Sequence, residues 1–344
     1  MRRLGLLWSL ALVLVAGSAL AQEELVVSSY GGEWTDNQRQ LVIEPFEKEH
    51  GVKVRLVTGY SADIMAQLRA QKANPQMDVV HFSGGQEAIA AAEGLLAPIK
   101  PEELEHYDGL YPIAVGNIEQ GQGPAHGIAA IGLLYNRELV DPAPTSWNDL
   151  WDERFAGQVV ITDIGNSYGL LGMLMINELH GGDLDKIDPG LQAIGGLLDD
   201  DNIVVTGSPE VRQLFAEEQV VIGAYAQDHA YRLREAGAPI AFTIPEEGAA
   251  ASFLTINLVA GRPAENRDLA LAFINYSLRP EVMEGWAEAA RYSPTNRKAK
   301  LPPEIAEDVV YGEEAVSQLV AFDALKIGQN KSAYIDAWNR LLAR

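Results

Sequence analysis

Residues 159–172 read VVITDIGNSYGLLG. A β-branched apolar run, a turn of small and polar residues and an apolar helix-forming run follow one another without a gap. That order is the strand–turn–helix unit from which α/β folds are assembled. The turn, Gly165-Asn166-Ser167-Tyr168-Gly169, also matches G-x-S-x-G, the elbow that presents a hydrolase nucleophile. Fold class and function both depend on what surrounds this segment.

The same unit recurs on the N-terminal side. A strand is predicted over 24–29, broken by Tyr30-Gly31-Gly32, and a helix over 35–50, with Gly51 as its C-cap. A second strand follows over 52–57. Ser61 is a candidate N-cap for a helix reaching residue 71, a third strand spans 77–82, and Ser83-Gly84-Gly85 turns into a helix over 86–93. On the C-terminal side, strands are predicted over 203–206, 220–225, 240–244 and 252–259. They alternate with helices starting at Ser208 and Asp228, and further helices cover 267–278 and 280–290. Ser146 is a candidate N-cap before Trp147. Two such α/β sets in 344 residues, 47% of them hydrophobic, predict two lobes.

The first 21 residues have the form of a secretory signal peptide: Arg2 and Arg3, a short apolar run, and Ala19-Leu20-Ala21 before Gln22. The expectation is a soluble protein exported to the periplasm. With no cysteine in the chain, disulfides, thiolate chemistry and a bacterial-type lipid anchor are excluded. The net charge is −22, and loss of the two signal arginines leaves 24 basic against 48 acidic residues. Such a balance argues against a nucleic-acid partner, because phosphate binding needs a basic face.

A hydrolase needs a base, an orienting acid and an oxyanion hole besides its serine. His180 falls at the far end of the helix beginning beside Ser167, about 18–20 Å away at about 1.5 Å per residue. His229 lies directly beside Asp228, and no HGGG-type segment precedes the elbow. A secreted serine hydrolase using Ser167 is the alternative from another class, and catalysis is not expected. The six histidines show neither i, i+4 pairing nor H-E-x-x-H, no two tyrosines are adjacent, and no P-loop is present. No metal or cofactor is therefore expected, and the chain has no means of its own to hydrolyse a nucleotide.

SYGGEWTDNQRQLVIEPFEKEHGVKV, MDVVHFSGG, GIAAIGLLYN and SWNDLWDERFAGQVVITD occur in that order, followed by QVVIGAYAQDHAYRLREAGAPIAFTIPEEG and ALAFINYSLRPEVMEGWAEAARYSPTN. In this order the chain resembles the extracellular solute-binding proteins of ABC importers, most closely their spermidine/putrescine-type branch. The resemblance implies a two-lobe α/β periplasmic-binding-protein fold of type II. Lobe 1 would span 22–127 and lobe 2 128–250, with a return to lobe 1 over 251–300 and C-terminal helices over 301–344. The chain would cross near 128–134 and return near 250–258. It also implies a monomer that closes on a small solute and delivers it to a permease with a separate ATPase.

In open α/β sheets, ligands sit where strand ends lead into helices. That rule selects five loops. In the first, Gly31 and Gly32 allow close backbone approach, Tyr30 and Trp34 offer aromatic walls, and Glu33 offers a carboxylate; Trp34 also fits ordinary packing. Ser83, Gly84 and Gly85 form the second, where free N–H groups would suit a polar oxygen, or simple turn chemistry suffices. Asp163, Ser167 and Tyr168 form the third, read as a cradle of N–H groups at a helix start. Tyr225 and Asp228 form the fourth, with Asp228 either meeting an ammonium or capping its helix. Ser252 and Phe253 form the fifth. The polyamine branch implies acids and tryptophans at several of these places, whereas this chain has Tyr225, Ser167 and Thr255 there. Hydroxyls, glycine N–H groups and tyrosines also fit a carboxylate, zwitterionic or phosphonate solute. Arg291 could clamp such an anion or form a surface ion pair.

Overall fold

The computed structural model of the protein describes residues 24–344; the predicted signal segment, residues 1–21, lies outside them. Ten strands form one sheet: β1 (Glu24–Ser29), β2 (Lys53–Thr58), β3 (Val79–Ser83), β4 (Ala125–Asn136), β5 (Val159–Thr162), β6 (Ile203–Val205), β7 (Ile222–Ala226), β8 (Ile240–Thr243), β9 (Ala249–Leu258) and β10 (Leu319–Val320). Their order is β2-β1-β3-β9-β4-β7-β5-β6, with β8 beside β4 and β10 beside β9. β1 runs parallel to β2 and β3, and β5 runs parallel to β6 and β7. Each parallel group is the heart of one lobe, as helices returning between parallel strands require.

The long strands β4 and β9 lie between the groups. They pair antiparallel from Ala125↔Thr255 to Ile131↔Ala250. Beyond that overlap they diverge. The end of β9 pairs with β3 (Ser83↔Leu254 to Val79↔Leu258), and the end of β4 pairs with β7 (Ile131↔Ala226 to Tyr135↔Ile222). Both strands are apolar along almost their whole length and buried, as strands covered on both faces must be.

Among the described residues four buried apolar clusters follow, and the two largest lie one in each lobe. One, in the first lobe, packs Leu25, Val27, Phe46, Val79, Phe273 and Trp286. The other, in the second, packs Trp147, Met173, Ile222, Tyr225, Phe215 and Trp338. Each fully buried large apolar side chain stabilises its lobe by about 1.5–3 kcal/mol. The helix Ala324–Leu342 belongs mainly to the second core through Tyr334, Trp338 and Leu341. It also leans on the first lobe: a Cβ on Gly85 would come within 2.7 Å of Ala324 Cβ, and one on Gly328 within 3.1 Å of Ile89. No helix among the described residues is long and apolar enough to cross a membrane.

Local readings met two exceptions. The helix predicted over 35–50 is interrupted, with α-turns over Gly32–Gln38 and Glu44–His50 separated by a π-turn over Arg39–Ile43. Pro45 explains the shift, since it lacks the N–H that a regular turn would bond four residues back. Gly51 ends the segment at φ 71°, the left-handed C-cap expected. Ser61 is not an N-cap: Tyr60 holds that place, its N–H bonded to Asp63 Oδ2 at 3.2 Å. The Ser61 hydroxyl instead accepts from the Ser83 N–H at 3.1 Å, joining two loop ends of the first lobe. Ser146 does cap, accepting from the Asn148 N–H at 3.1 Å.

Candidate functional site

A cavity of about 820 Å³ opens between the lobes at the ends of the strands. The first lobe contributes Tyr30, Gly31 and Trp34 after β1, Tyr60 and Ser61 after β2, Ser83 at the end of β3, and Gly84 and Gln86 after it. From the second lobe come Gly165, Asn166, Ser167 and Tyr168, all after β5. Ser252 and Leu254 of β9, Tyr292 and Lys331 complete the wall.

The first-lobe side of this wall is a hydroxyl network backed by rings. Tyr30 Oη lies 3.3 Å from Ser61 Oγ, which lies 3.4 Å from Ser83 Oγ. Burial pushes the Tyr30 phenol up to about 12, so it stays protonated and able to donate. The Trp34 ring stands edge-on to Tyr30 at 4.7 Å and packs on Trp286 at 5.0 Å. Trp34 thus serves both as core packing and as cavity wall.

On the opposite side, Tyr168 meets Tyr225 edge-on at 5.5 Å. Burial raises the phenols of Tyr168 and Tyr292, and the Asp228 carboxylate raises both further. Tyr225 is fully buried, outside the cavity wall, with Oη 2.5 Å from Ser208 Oγ. Asp228 is buried as well and stands behind Tyr168 and Tyr292. Its Oδ2 is 3.8 Å from His229 Nε2 and 3.9 Å from Arg232 Nε, and its Oδ1 is buried without a hydrogen-bond partner. Asp228 lies inside the first turn of the helix Gln227–Glu235, whose N-cap is Ala226, so it does not cap that helix.

The structure also alters the N–H cradle. The Gly165 N–H donates to Asp163 Oδ1 at 2.7 Å, and the Tyr168 N–H donates to Asn166 Oδ1 at 2.9 Å. Asn166 is the N-cap of the helix Ser167–Leu179, a role that its side chain was not assigned from the sequence. Asp163 stands outside the cavity wall, and its second oxygen accepts from Trp338 Nε1 at 2.7 Å. The Gly31 N–H is likewise bonded, to Thr35 Oγ1 at 3.0 Å. These donors are held within the protein, which weakens the turn as an anion site.

The remaining candidates divide. Gly85 and Phe253 line a smaller neighbouring cavity. Gly32 and Glu33 stand outside both cavities, with Glu33 Oε2 3.2 Å from Arg232 Nη1. Arg291 is not in the cleft: its Nε donates to Asp308 Oδ2 at 2.9 Å, and its guanidinium lies 3.7 Å over the Tyr231 ring. Sequence reasoning missed Tyr60, Ser61, Gln86, Asn166, Leu254, Tyr292 and Lys331. Tyr60 and Ser61 follow β2 and were reachable by the strand-end rule, but Tyr292 and Lys331 come from segments far along the chain.

Among the described residues, neither histidine that follows Ser167 in the chain is placed to act as its base. His180 is the C-cap at the opposite end of its helix, and His229 Nδ1 is 3.1 Å from Arg212 Nη1. Gly169 has a packing reason of its own. A Cβ there would come within 2.4 Å of Asp163 O and 2.6 Å of Thr162 O, so the helix start can approach the end of β5 only with glycine.

Two α/β lobes bridged by paired strands, with a cavity of hydroxyls and aromatic rings between them, define a hinged solute-binding protein. The chain belongs to the bacterial extracellular solute-binding protein family, whose model matches residues 42–311. It is 28% identical over 343 residues to the spermidine/putrescine-binding periplasmic protein of Escherichia coli K12, covering 97% of this chain and 96% of that one. A putative 2-aminoethylphosphonate-binding periplasmic protein of Salmonella typhimurium is 30% identical over 162 residues, covering 45% of this chain and 44% of that one. The crystal structure of an ABC transporter protein from Clostridium perfringens superposes with a TM-score of 0.81 at 25% identity, covering 92% of this chain and 99% of that one. The chain is thus the solute-binding component of an ABC transporter, as the resemblance in its sequence implied.

Proposed function

We propose that the protein captures a small polar solute bearing a primary amine, of the polyamine type, by closing its lobes at a hinge in β4 and β9. The lobe limits are those the sequence implies, with crossings near 127/128 and 250/251. It releases the solute to a membrane permease driven by a separate ATPase, acting in the periplasm as a monomer without catalysis. The relatives' names support an amine, since spermidine, putrescine and 2-aminoethylphosphonate all carry one.

The observation that carries this reading is the unpartnered, buried Oδ1 of Asp228 behind a wall of tyrosines. Its negative charge, felt by both wall tyrosines, favours an ammonium group on the cavity side of them. Tyr30, Tyr168 and Trp34 supply ring surface for the methylenes and for cation–π contact. A thermal-shift screen of polyamines, amino acids, carboxylates, phosphonates and ferric iron tests the reading, since a ligand that binds the folded state raises its melting temperature. Stabilisation by a diamine, lost in Asp228→Asn, is the expected result.

Lys331 favours a second reading. Among the described residues it is the one formally charged side chain on the wall of the main cavity, and it would suit the acidic end of a zwitterionic or phosphonate solute. Stabilisation by such an anion, with no response to diamines, would favour this reading and keep the transport role.

A further inference from the structure

Beside the main cavity lies a second one of about 50 Å³, room for roughly one or two small polar groups. Gly84, Ser167 and Ser252 line both, so the two spaces share a wall where the lobes meet. Gly84, at φ +67°, brings the first-lobe turn so close that a Cβ on it would stand 3.5 Å from Ser167 Cβ. Most of the small cavity is apolar, with Leu170, Phe253, Phe322 and Ile327 on its walls. Its one titratable wall residue is Glu87.

Glu87 is 3% exposed, and its Oε2 is buried with no hydrogen-bond partner. It sits in the first turn of the short helix Gln86–Ala92, where the helix dipole favours an acid but leaves Oε2 without a hydrogen-bond partner. Burial pushes its carboxyl up to about 7, so an uncompensated negative charge is resisted there until a cation arrives. Among the described residues no basic side chain lines this cavity to supply that cation.

We propose that Glu87 and the small cavity form an end subsite for one primary ammonium, which passes the Gly84–Ser167 contact and binds Glu87 Oε2. This rests on the amine reading above and adds a second acid to it, distinct from Asp228 and on the other lobe. The cavity's size makes it selective. It admits an NH₃⁺ group and excludes an ammonium carrying several methyl groups. Ser167 and Ser252 at the shared wall are placed to take further ammonium protons.

The test uses 1,4-diaminobutane and its tetra-N-methylated analogue, titrated calorimetrically into the purified protein and into Glu87→Gln. Gln keeps the shape and removes the charge. The subsite predicts that the variant melts no lower than the parent without ligand, yet binds 1,4-diaminobutane about tenfold to hundredfold more weakly. It also predicts that the parent binds the methylated diamine at least about tenfold more weakly than the parent diamine. At pH 7 the parent should release protons on binding and the variant should release fewer, which separates charge pairing from a packing role. Equal diamine affinity in parent and variant would overturn the subsite while leaving the amine reading intact. Failure of the parent to bind any amine, with clear binding of a carboxylate or phosphonate, would overturn both.

Discussion

Arg232 of the second lobe and Glu33 of the first form an ion pair between lobes, Nη1 to Oε2 at 3.2 Å. They stand 199 residues apart in the chain, in helices that open after β7 and β1. Each is partly exposed, so water and salt weaken the attraction. The pair nonetheless exists only while the lobes face one another.

Glu33→Gln should therefore alter binding more than folding. The unfolding free energy should change by less than about 1 kcal/mol. Solute affinity should fall about twofold to fivefold at low salt, and the difference should shrink at about 1 M salt. Titration calorimetry at two salt concentrations checks this, and an unchanged affinity at low salt would show that the pair does not bias closure.

Glu87 makes stability depend on pH. Its carboxyl is raised in the folded protein to about 7, above its ordinary value of 4.5. Between those values the folded state holds a proton that the unfolded chain has released. The ligand-free protein should thus be most stable, with respect to this group, below pH 4.5 and lose that stability as pH rises through 7. From pH 5 to pH 8, Glu87→Gln should gain on the parent by about 2–3 kcal/mol in urea unfolding. A constant difference across that range would mean that Glu87 ionises freely in the fold.

Gly169→Ala should destabilise by about 2–4 kcal/mol, since its Cβ would fall on the backbone carbonyls of Thr162 and Asp163. Ser167→Ala, on the cavity wall, should leave the melting temperature nearly unchanged and shift solute affinity by up to about tenfold. Neither the parent nor Ser167→Ala should turn over a test ester such as p-nitrophenyl acetate above the buffer rate. A serine-dependent rate would revive the hydrolase.

Trp34 gives an optical readout. Its ring lines the cavity and stacks near Trp286 at 5.0 Å, so an arriving solute changes its surroundings. Tryptophan emission should shift on solute binding in the parent and not in Trp34→Phe. A shift that persists in the variant would place the responding ring at another tryptophan.

The alternation of β-rich and helical segments made the α/β class legible, because each strand carries a short apolar run ended by glycine or polar residues. The loops after β1, β3 and β5 were found for the same reason: strand ends are visible in sequence. What pairs across the cleft was not visible. The bridge from Ser61 to Ser83 within the first lobe and the burial of Asp228 and Glu87 depend on contacts remote in sequence, whereas the Asn166 cap is a local bond, to the Tyr168 N–H two residues on, that was open to reading. Pro45 could have warned of the interrupted first helix. Lys331 could not have been assigned, since helical periodicity around it says nothing of which cleft the helix crosses.

The sheet runs unbroken from β2 to β6, and the helix Ala324–Leu342 touches both lobes on the side of Gly85 and Ile89. The main cores of the two lobes are thus sewn together by backbone hydrogen bonds and clasped by the chain's last long helix. A lobe that melted would strip the ladder from its neighbour's edge strand and free the clasp. Calorimetry should accordingly record a single heat-absorption peak for the intact molecule, with the helix acting as a fulcrum about which the lobes rock but from which neither detaches.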